Sequence, residues 1–492
     1  VAANFDPLPI TQTLTPASQA ELADAVRQCH DRDTPLYPVG GATALDFGLT
    51  PKRPGAALSL AGLQTIVDYP ARDMTVTVEA GMRVAELVQV LAREGQQWPI
   101  DVPRADNATV GGVIATNANG PRRYGYGSVR DYVIGISAVD GTGRPFKGGG
   151  RVVKNVAGYD FCKLLTGSLG TLGVLTQATL RLRPLPETSA WRGCVAANLE
   201  TLDRLLDSLA ASRTSPVAIE TLAGPAWTAS PRLAPLNSNT ARNDSSQPAS
   251  PASPASPGSS AGATTGALGS ASGSASSYST PFFLLVRFEG SEPEVTWQLE
   301  QVAAEWRTAG VADSHVWRGE DADGWLRDLA EFPQSLGTPS PSTPSPSTPS
   351  PSTQSTGTQS PATQKPTAQS PGAALVVQAS VRPSGTVPMF RAFTAIDPRV
   401  SLLGHAGNGI VVARFAEFPA GGLSRTLVGR AQPEALRFDG SVKILSNPSG
   451  QEMAPHTVWG AGGASFDVMM SVKRQFDPRH VLNPGRFIFP AG

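Results

Sequence analysis

The chain has 492 residues, enough for two or three packed domains, and its 40 Lys plus Arg balance 40 Asp plus Glu to a formal net charge of 0. With no block of like charge, bulk electrostatics give no reason to expect a nucleic-acid partner, whereas a small acidic ligand needs only one or two local cations. The three cysteines, Cys29, Cys162 and Cys194, form no close ligand pair, which argues against a disulfide framework or a cysteine-rich metal site and favours a reducing compartment.

The N-terminus lacks the basic flank and apolar run of a secretory signal. No stretch approaches 18 uninterrupted apolar residues, so cytoplasmic residence without direct membrane insertion is the expectation. Ser18 with Glu21 three residues later reads as a capping box. Leu22, Ala25, Val26 and Cys29 follow at helical spacing and predict a helix over about 19–30. A short strand over 35–39 then runs into Gly40-Gly41. Another strand is expected over 74–79, with Val76 and Val78 on one face. Gly81 ends it, and Val84, Leu87, Val88 and Leu91 form the buried stripe of a second helix that stops near Gly95. Residues 131–139 read as a strand closed by the turn Asp140–Gly143. The alternation of Val174, Thr176, Ala178, Leu180 and Leu182 is the clearest β signal in the chain, ended by Pro184 and Pro186.

Residues 231–280 are dominated by Ser, Ala, Pro, Thr and Gly, and residues 333–372 by Pro, Ser, Thr and Gln. Neither stretch has the apolar content to offset the entropy of ordering it, so both read as low-complexity inserts. Around them, strands over 282–288 and 374–381 and a helix over 295–306 predict an α/β cap made of 187–230, 281–332 and 373–464, its loops lengthened at small cost. The final segment, 465–492, carries a short helix near Phe466, Met469, Met470 and Lys473, then two proline turns between Phe476 and Phe487. It is expected to pack back onto a folded domain, without any need to touch a bound ligand.

Three glycine-rich clusters stand in the N-terminal part. The first is Pro38-Val39-Gly40-Gly41-Ala42-Thr43, where adjacent glycines after a strand allow a sharp turn and bring backbone N–H groups close to a ligand. Taken singly it fits a plain tight turn or an anion-binding turn. It is neither GxGxxG nor GxxxxGK[ST], so the usual dinucleotide fold and the nucleotide P-loop lose support. The second cluster runs from Asn107 through Thr109, Gly111, Gly112, Thr116 and Asn117 to Gly127-Ser128. The third begins at Lys154-Asn155-Val156-Ala157-Gly158-Tyr159-Asp160 and continues to Gly167-Ser168-Leu169-Gly170-Thr171-Leu172-Gly173-Val174. Small residues between apolar ones imply close backbone approach to another element or to a flat ligand.

In this order the clusters resemble the PCMH-type FAD-binding family, named after vanillyl-alcohol oxidase and p-cresol methylhydroxylase, from about Leu14 to Pro186 and again in the tail between Phe476 and Phe487. More closely, they are similar to the FAD-binding subunits of bacterial glycolate oxidase, the second above all. The resemblance implies an α+β fold, with a two-subdomain FAD-binding domain over 14–186 followed by the cap. It implies FAD, bound noncovalently. Val39, Gly40, Gly41, Ala42 and Thr43 would lie at the pyrophosphate. Pro103, Thr109, Gly111, Gly112, Thr116 and Asn117 would lie near the flavin or its linker, and Gly170, Thr171, Gly173 and Val174 near the cofactor. It further implies oxidation of glycolate to glyoxylate in a complex with a catalytic flavin subunit and an iron–sulfur subunit, peripheral to the inner membrane through those partners. An independent FAD-dependent dehydrogenase of D-lactate or another 2-hydroxy acid, and a non-catalytic flavin-bearing assembly subunit, stay open as alternatives.

Such chemistry needs cations for the substrate carboxylate and a base for the hydroxyl proton. His405 is the candidate, in His405-Ala406-Gly407-Asn408-Gly409, which resembles the His-Ala-Gly-Asp-Gly-Asn of related 2-hydroxyacid oxidoreductases but has Asn408 and Ile410 at the Asp and final Asn positions. A structural turn histidine is the competing reading. The five histidines, His30, His315, His405, His456 and His480, show no metal-ligand spacing, so no metal site is expected. Arg318, Arg382 and Arg414 are the candidate cations of the cap.

Overall fold

The computed structural model of the chain describes residues 8–150, 158–236, 281–333, 375–460 and 465–487. Most of both low-complexity stretches, Lys154 to Ala157 of the third cluster, and residues 461–464 lie outside these segments.

Two sheets build the N-terminal unit. Strands β1 (Ile10–Leu14), β2 (Leu36–Val39) and β3 (Gly55–Ser59) pair in parallel in the order β1-β3-β2. Parallel strands need a crossover, and the helix Gln19–Asp31 supplies it, burying Leu22, Val26 and Cys29. Its cap differs in detail from the sequence expectation. The Ser18 hydroxyl accepts the Glu21 N–H, but the Glu21 carboxylate reaches back to the Ala17 N–H instead of that of Ser18.

The second sheet takes β4 (Ile66–Asp68), β5 (Thr75–Glu79), β7 (Val133–Val139), β8 (Pro145–Gly149) and β9 (Val174–Arg181) in the antiparallel order β4-β5-β9-β7-β8. The short strands β6 (Gln96–Gln97) and β10 (Arg183–Pro184) pair beside it. The helix Val84–Arg93 buries Val84, Leu87 and Leu91 but leaves Val88 45% exposed, so its apolar stripe is narrower than the sequence suggests. Both sheets share one core, with Leu36 and Leu58 packed in the same cluster as Val76, Ile136 and Leu180.

The cap is a single eight-stranded sheet. Its strands are β11 (Thr188–Ala196), β12 (Ala218–Ala223), β13 (Phe282–Gly290), β14 (Ser314–Arg318), β15 (Leu375–Ser380), β16 (Ser401–His405), β17 (Ile410–Phe415) and β18 (Ser441–Ser446), in the order β14-β11-β13-β12-β16-β17-β15-β18. Every pairing is antiparallel, and the whole chain is a mixed α+β architecture. Helices Leu199–Ala210, Glu292–Thr308 and Thr386–Ile396 cover one face. Helix Gly319–Glu331 covers part of the other, where Leu233 and Leu236, at the start of the stretch read as low-complexity, are buried with Trp227 and Phe332. The uncovered remainder faces the N-terminal unit. Along β15 and β18 the period of two separates the faces: Val377, Ala379, Val442 and Ile444 enter the helix-covered core, while Gln378, Ser380 and Lys443 point to the seam.

Two buried ion clusters hold these parts together. Arg122 bonds Asp101 through Nε at 2.9 Å and Gln97 through Nη1 at 2.8 Å, and lies 3.6 Å from Glu289 on the cap sheet. Glu289 also accepts from Arg287 at 2.6 Å and from the Tyr126 hydroxyl at 2.7 Å. Burial would raise the Glu289 carboxyl, but Arg122 and Arg287 outweigh it and keep the group below its ordinary range. The second cluster returns the tail to the N-terminal unit. After the helix Phe466–Phe476, Lys473 Nζ donates to the Asp477 carboxylate at 2.5 Å and to the Thr171 carbonyl at 2.7 Å, and Asp477 accepts the N–H groups of Val481 and Leu482. No helix among the described residues is long and apolar enough to cross a membrane.

Replacing Asp477 with Ala leaves a buried ammonium without its counter-charge and two buried N–H groups without partners. The expected loss is about 3–5 kcal/mol, read as a lowered denaturation midpoint of the full chain.

Candidate functional site

The three glycine clusters meet because their backbones have to touch. At Gly41 an added Cβ would lie 1.6 Å from the Asn107 carbonyl oxygen, so the first loop rests directly on the start of the second cluster. At Gly111 it would lie 2.7 Å from the Ala80 Cβ, which seats the second cluster against the end of β5. From there the helix Val110–Thr116 runs on, capped by the Thr109 hydroxyl and ended by Asn117 in the left-handed region. The third cluster closes onto that end: Gly167 and Leu169 donate their N–H groups to the carbonyls of Ile114 and Ala115.

A trough results, lined by Val39, Gly40, Gly41, Ala42 and Thr43, by Thr109, Gly111, Gly112 and Thr116, and by Gly170, Gly173 and Val174. Among the described residues the amides of Gly40 to Thr43 donate no backbone hydrogen bond, and Ala42 is held at φ 55°. Donors grouped in this way form a concave anion site. Thr171 is the exception among the residues expected here. Its hydroxyl donates to the Ser168 carbonyl at 2.6 Å and its carbonyl accepts from Lys473, so it braces the loop without lining the trough.

Past Thr116 the trough continues along Pro103, Gly112, Val113 and Asn117, with Phe47, Gln378 and Lys443 opposite. It ends in a polar recess that combines Asn117, Asn119 and Arg123 of the N-terminal unit with Gln378, Ser380, His405 and Lys443 of the cap and the Trp459 ring. The recess gathers several titratable side chains. His405 is the last residue of β16, 8% exposed, with Nδ1 2.7 Å from Glu220 Oε2 on the neighbouring strand β12. Full burial pushes the Glu220 carboxyl up to about 7, against the pull of His405. The turn after His405 is structural as well: Gly409 has φ 65°, and a Cβ there would sit 2.0 Å from the Val381 carbonyl oxygen. The motif thus forms a tight turn that sets His405 against a cavity.

The cations differ from those expected. Arg318 pairs with Glu292, Arg382 with Asp439, and Arg414 lies over the Phe332 ring, none of them lining the recess. Lys443 and Arg123 take that place. Burial first, then the like charge of Arg123, bring the Lys443 ammonium down to about 8. Its contact is a cation–π approach, 5.3 Å from the centre of the Phe47 ring. A lysine between Val442 and Ile444 in a strand was a legible signal, since the period of two sets its side chain opposite the apolar face. Glu220 and Arg123 carried no comparable mark.

Among the described residues no three His, Cys, Asp or Glu side chains cluster as a metal site. The tail, for which packing alone was a sufficient reading, places Asn483 and Arg486 along the trough beside the first loop. An elongated cleft, rich in unpaired amides at one end and walled by Pro103, Val113 and Phe47 further on, fits a diphosphate joined to a flat ring system.

Comparison with known proteins agrees with that geometry. Residues 10–149 match the FAD binding domain family, and residues 397–487 match the C-terminal domain family of FAD linked oxidases. Glycolate oxidase subunit GlcD of Bacillus subtilis is 31% identical over 212 residues, 43% of this chain and 45% of that protein. Glycolate oxidase subunit GlcE of Escherichia coli is 37% identical over 175 residues, 35% of this chain and 49% of that protein. D-2-hydroxyglutarate dehydrogenase of Xanthomonas citri is 36% identical over 209 residues, 42% of this chain and 43% of that protein. The matched stretch is thus less than half the length of each of these relatives. A solved structure of alkyldihydroxyacetonephosphate synthase superposes with a TM-score of 0.62 over 96% of this chain and 75% of its own, at 15% identity, a likeness of fold alone. The chain carries a PCMH-type FAD-binding domain related to bacterial glycolate oxidase subunits and similar flavin oxidases.

Proposed function

We propose that the chain binds FAD along the trough and oxidises a small 2-hydroxy acid in the recess at its end. The observation that carries this reading is the convergence of Arg123, Lys443 and the His405–Glu220 pair on one cavity continuous with the cofactor trough. When bound, FAD supplies the acceptor for hydride from the carbon that bears the hydroxyl. The chain's own residues do the rest. Arg123 and Lys443 hold the substrate carboxylate and set the orientation of the neighbouring carbinol carbon. His405, oriented by Glu220 through Nδ1, receives the hydroxyl proton at Nε2. The isoalloxazine would lie between Pro103, Thr116, Asn117 and Phe47, which shield it from water. Relatives named for glycolate, D-lactate and D-2-hydroxyglutarate share a carboxylate beside a carbinol, and that shared group is the substrate class assigned here.

A second reading, a flavin-bearing component of a glycolate oxidase complex, is favoured by the likeness to GlcE and GlcD and by Asn408 and Ile410, which depart from the motif of the related oxidoreductases. In that case a catalytic flavin subunit and an iron–sulfur subunit are the partners, and a cytoplasmic assembly peripheral to the inner membrane is the setting. Anaerobic mixing of the FAD-loaded chain with glycolate, D-lactate or D-2-hydroxyglutarate separates the two. Bleaching of the flavin by any of them supports catalysis by this chain alone. Flavin that stays oxidised with all three, and bleaches only when the partner subunits are added, transfers the reaction to the assembly.

Three outcomes follow for the recess. Lys443→Met raises KM for the acid about ten- to hundredfold, the worth of one charge-assisted hydrogen bond, with kcat less affected in steady-state assays. Because Lys443 is protonated only below about 8, KM also rises as pH passes that value, and Lys443→Arg removes the rise. His405→Asn lowers kcat by about 10²–10⁴-fold at unchanged FAD content.

A fourth outcome concerns stability. Folded Glu220 keeps its proton up to about 7, while the unfolded side chain loses it near 4.5. The folded state therefore binds more protons in that window, and Glu220 lowers stability as pH rises across it. Thermal denaturation of Glu220→Gln is expected to lack this component, so the variant gains on the parent between pH 5 and pH 7.

A further inference from the structure

The C-terminal tail enters the trough from the far end of the sequence. It is held there by hydrogen bonds from the Leu36 N–H to the Val481 carbonyl, 2.7 Å, and from the Asn483 N–H to the Leu36 carbonyl, 2.9 Å. The side-chain amide of Asn483 donates to the Leu169 carbonyl at 2.7 Å, which ties the third glycine cluster to the tail. Arg486, 6% exposed, donates through Nη2 to the carbonyls of Ala44 and Leu45 at the end of the first glycine loop. Its Nη1 is buried and has no partner among the described residues.

Among the described residues that line this part of the trough, Arg486 is the only one with an ionisable side chain. Burying a guanidinium with one donor unpaired is costly, and natural proteins offset such a cost with an anion. Burial pulls the group down to about 10, although Asp46 and Tyr37 pull the other way. The space in front of it is lined by Gly40 to Thr43, whose backbone N–H groups find no acceptor among the described residues.

We infer that Arg486 is a diphosphate-binding residue of the cofactor site, delivered by the tail and aligned by Asn483. This rests on the FAD reading of the trough and adds to it the group that answers the diphosphate charge. It also gives the returning tail a function that packing alone does not, since the tail would complete the cofactor site on folding.

The test compares FAD with riboflavin, which has the isoalloxazine but no diphosphate, by equilibrium binding to the apo form of the full chain. In Arg486→Met, FAD affinity is expected to fall about ten- to hundredfold while riboflavin affinity stays within a few-fold of the parent. Arg486→Gln keeps a donor for the loop carbonyls and removes the charge, and the same split is expected. It carries the comparison should the Met variant fail to fold. Unchanged FAD affinity in a folded variant, or an equal loss for both ligands, overturns the inference and leaves Arg486 as a brace of the loop. A parent chain that binds neither flavin overturns the cofactor reading itself.

Discussion

The Arg122 guanidinium sets the relation between the two halves of the molecule. Its Asp101 and Gln97 partners belong to the N-terminal unit and its Glu289 partner to the cap sheet, and all are buried. An ion cluster of this kind adds little net stability over apolar packing, yet losing any one member strands a charge. It therefore acts mainly on geometry: the two units can meet in the arrangement that satisfies Arg122 and Glu289 together. The next residue, Arg123, is thereby placed in the recess, opposite Lys443 and His405 of the cap. No single unit contains the recess.

The site carries several groups that are costly to bury. Among the described residues Glu220 is fully buried with one carboxylate oxygen unpartnered, Lys443 is half-buried within the field of Arg123, and Arg486 keeps an unpaired nitrogen. Each costs stability in the protein by itself. An anion beside Lys443 and Arg123, and another beside Arg486, would relieve part of these costs. Elsewhere, charges close on one another, as in the Lys473–Asp477 pair and the Arg122 cluster.

Much of the scaffold was readable in advance because local patterns report local geometry. Alternating residues over Val174–Arg181, the stripe of the helix Val84–Arg93 and the glycine pair after β2 each describe a surface that has to be buried or a turn that has to be tight. The errors were also local. Glu21 bonds Ala17 in place of Ser18, Val88 lies on the exposed edge of its helix, and Thr171 turns its hydroxyl into the loop instead of the trough.

The sequence by itself determined the glycine cradle, the α+β class and the family of cofactor, since backbone approach to a diphosphate demands residues without side chains wherever they fall along the chain. Only the tertiary structure decided which charges serve the site. Arg318, Arg382 and Arg414 were as plausible by composition as Arg123, Lys443 and Arg486. They differ in where the fold sets them: Arg318 and Arg382 meet carboxylates and Arg414 a ring away from the recess, while Arg123 and Lys443 line the recess and Arg486 the trough, and that depends on strands and loops as much as 442 residues apart. For the same reason the tail, read as packing, proved to be part of the trough: its position follows from the buried bonds of Lys473 and Asp477, which no local pattern encodes.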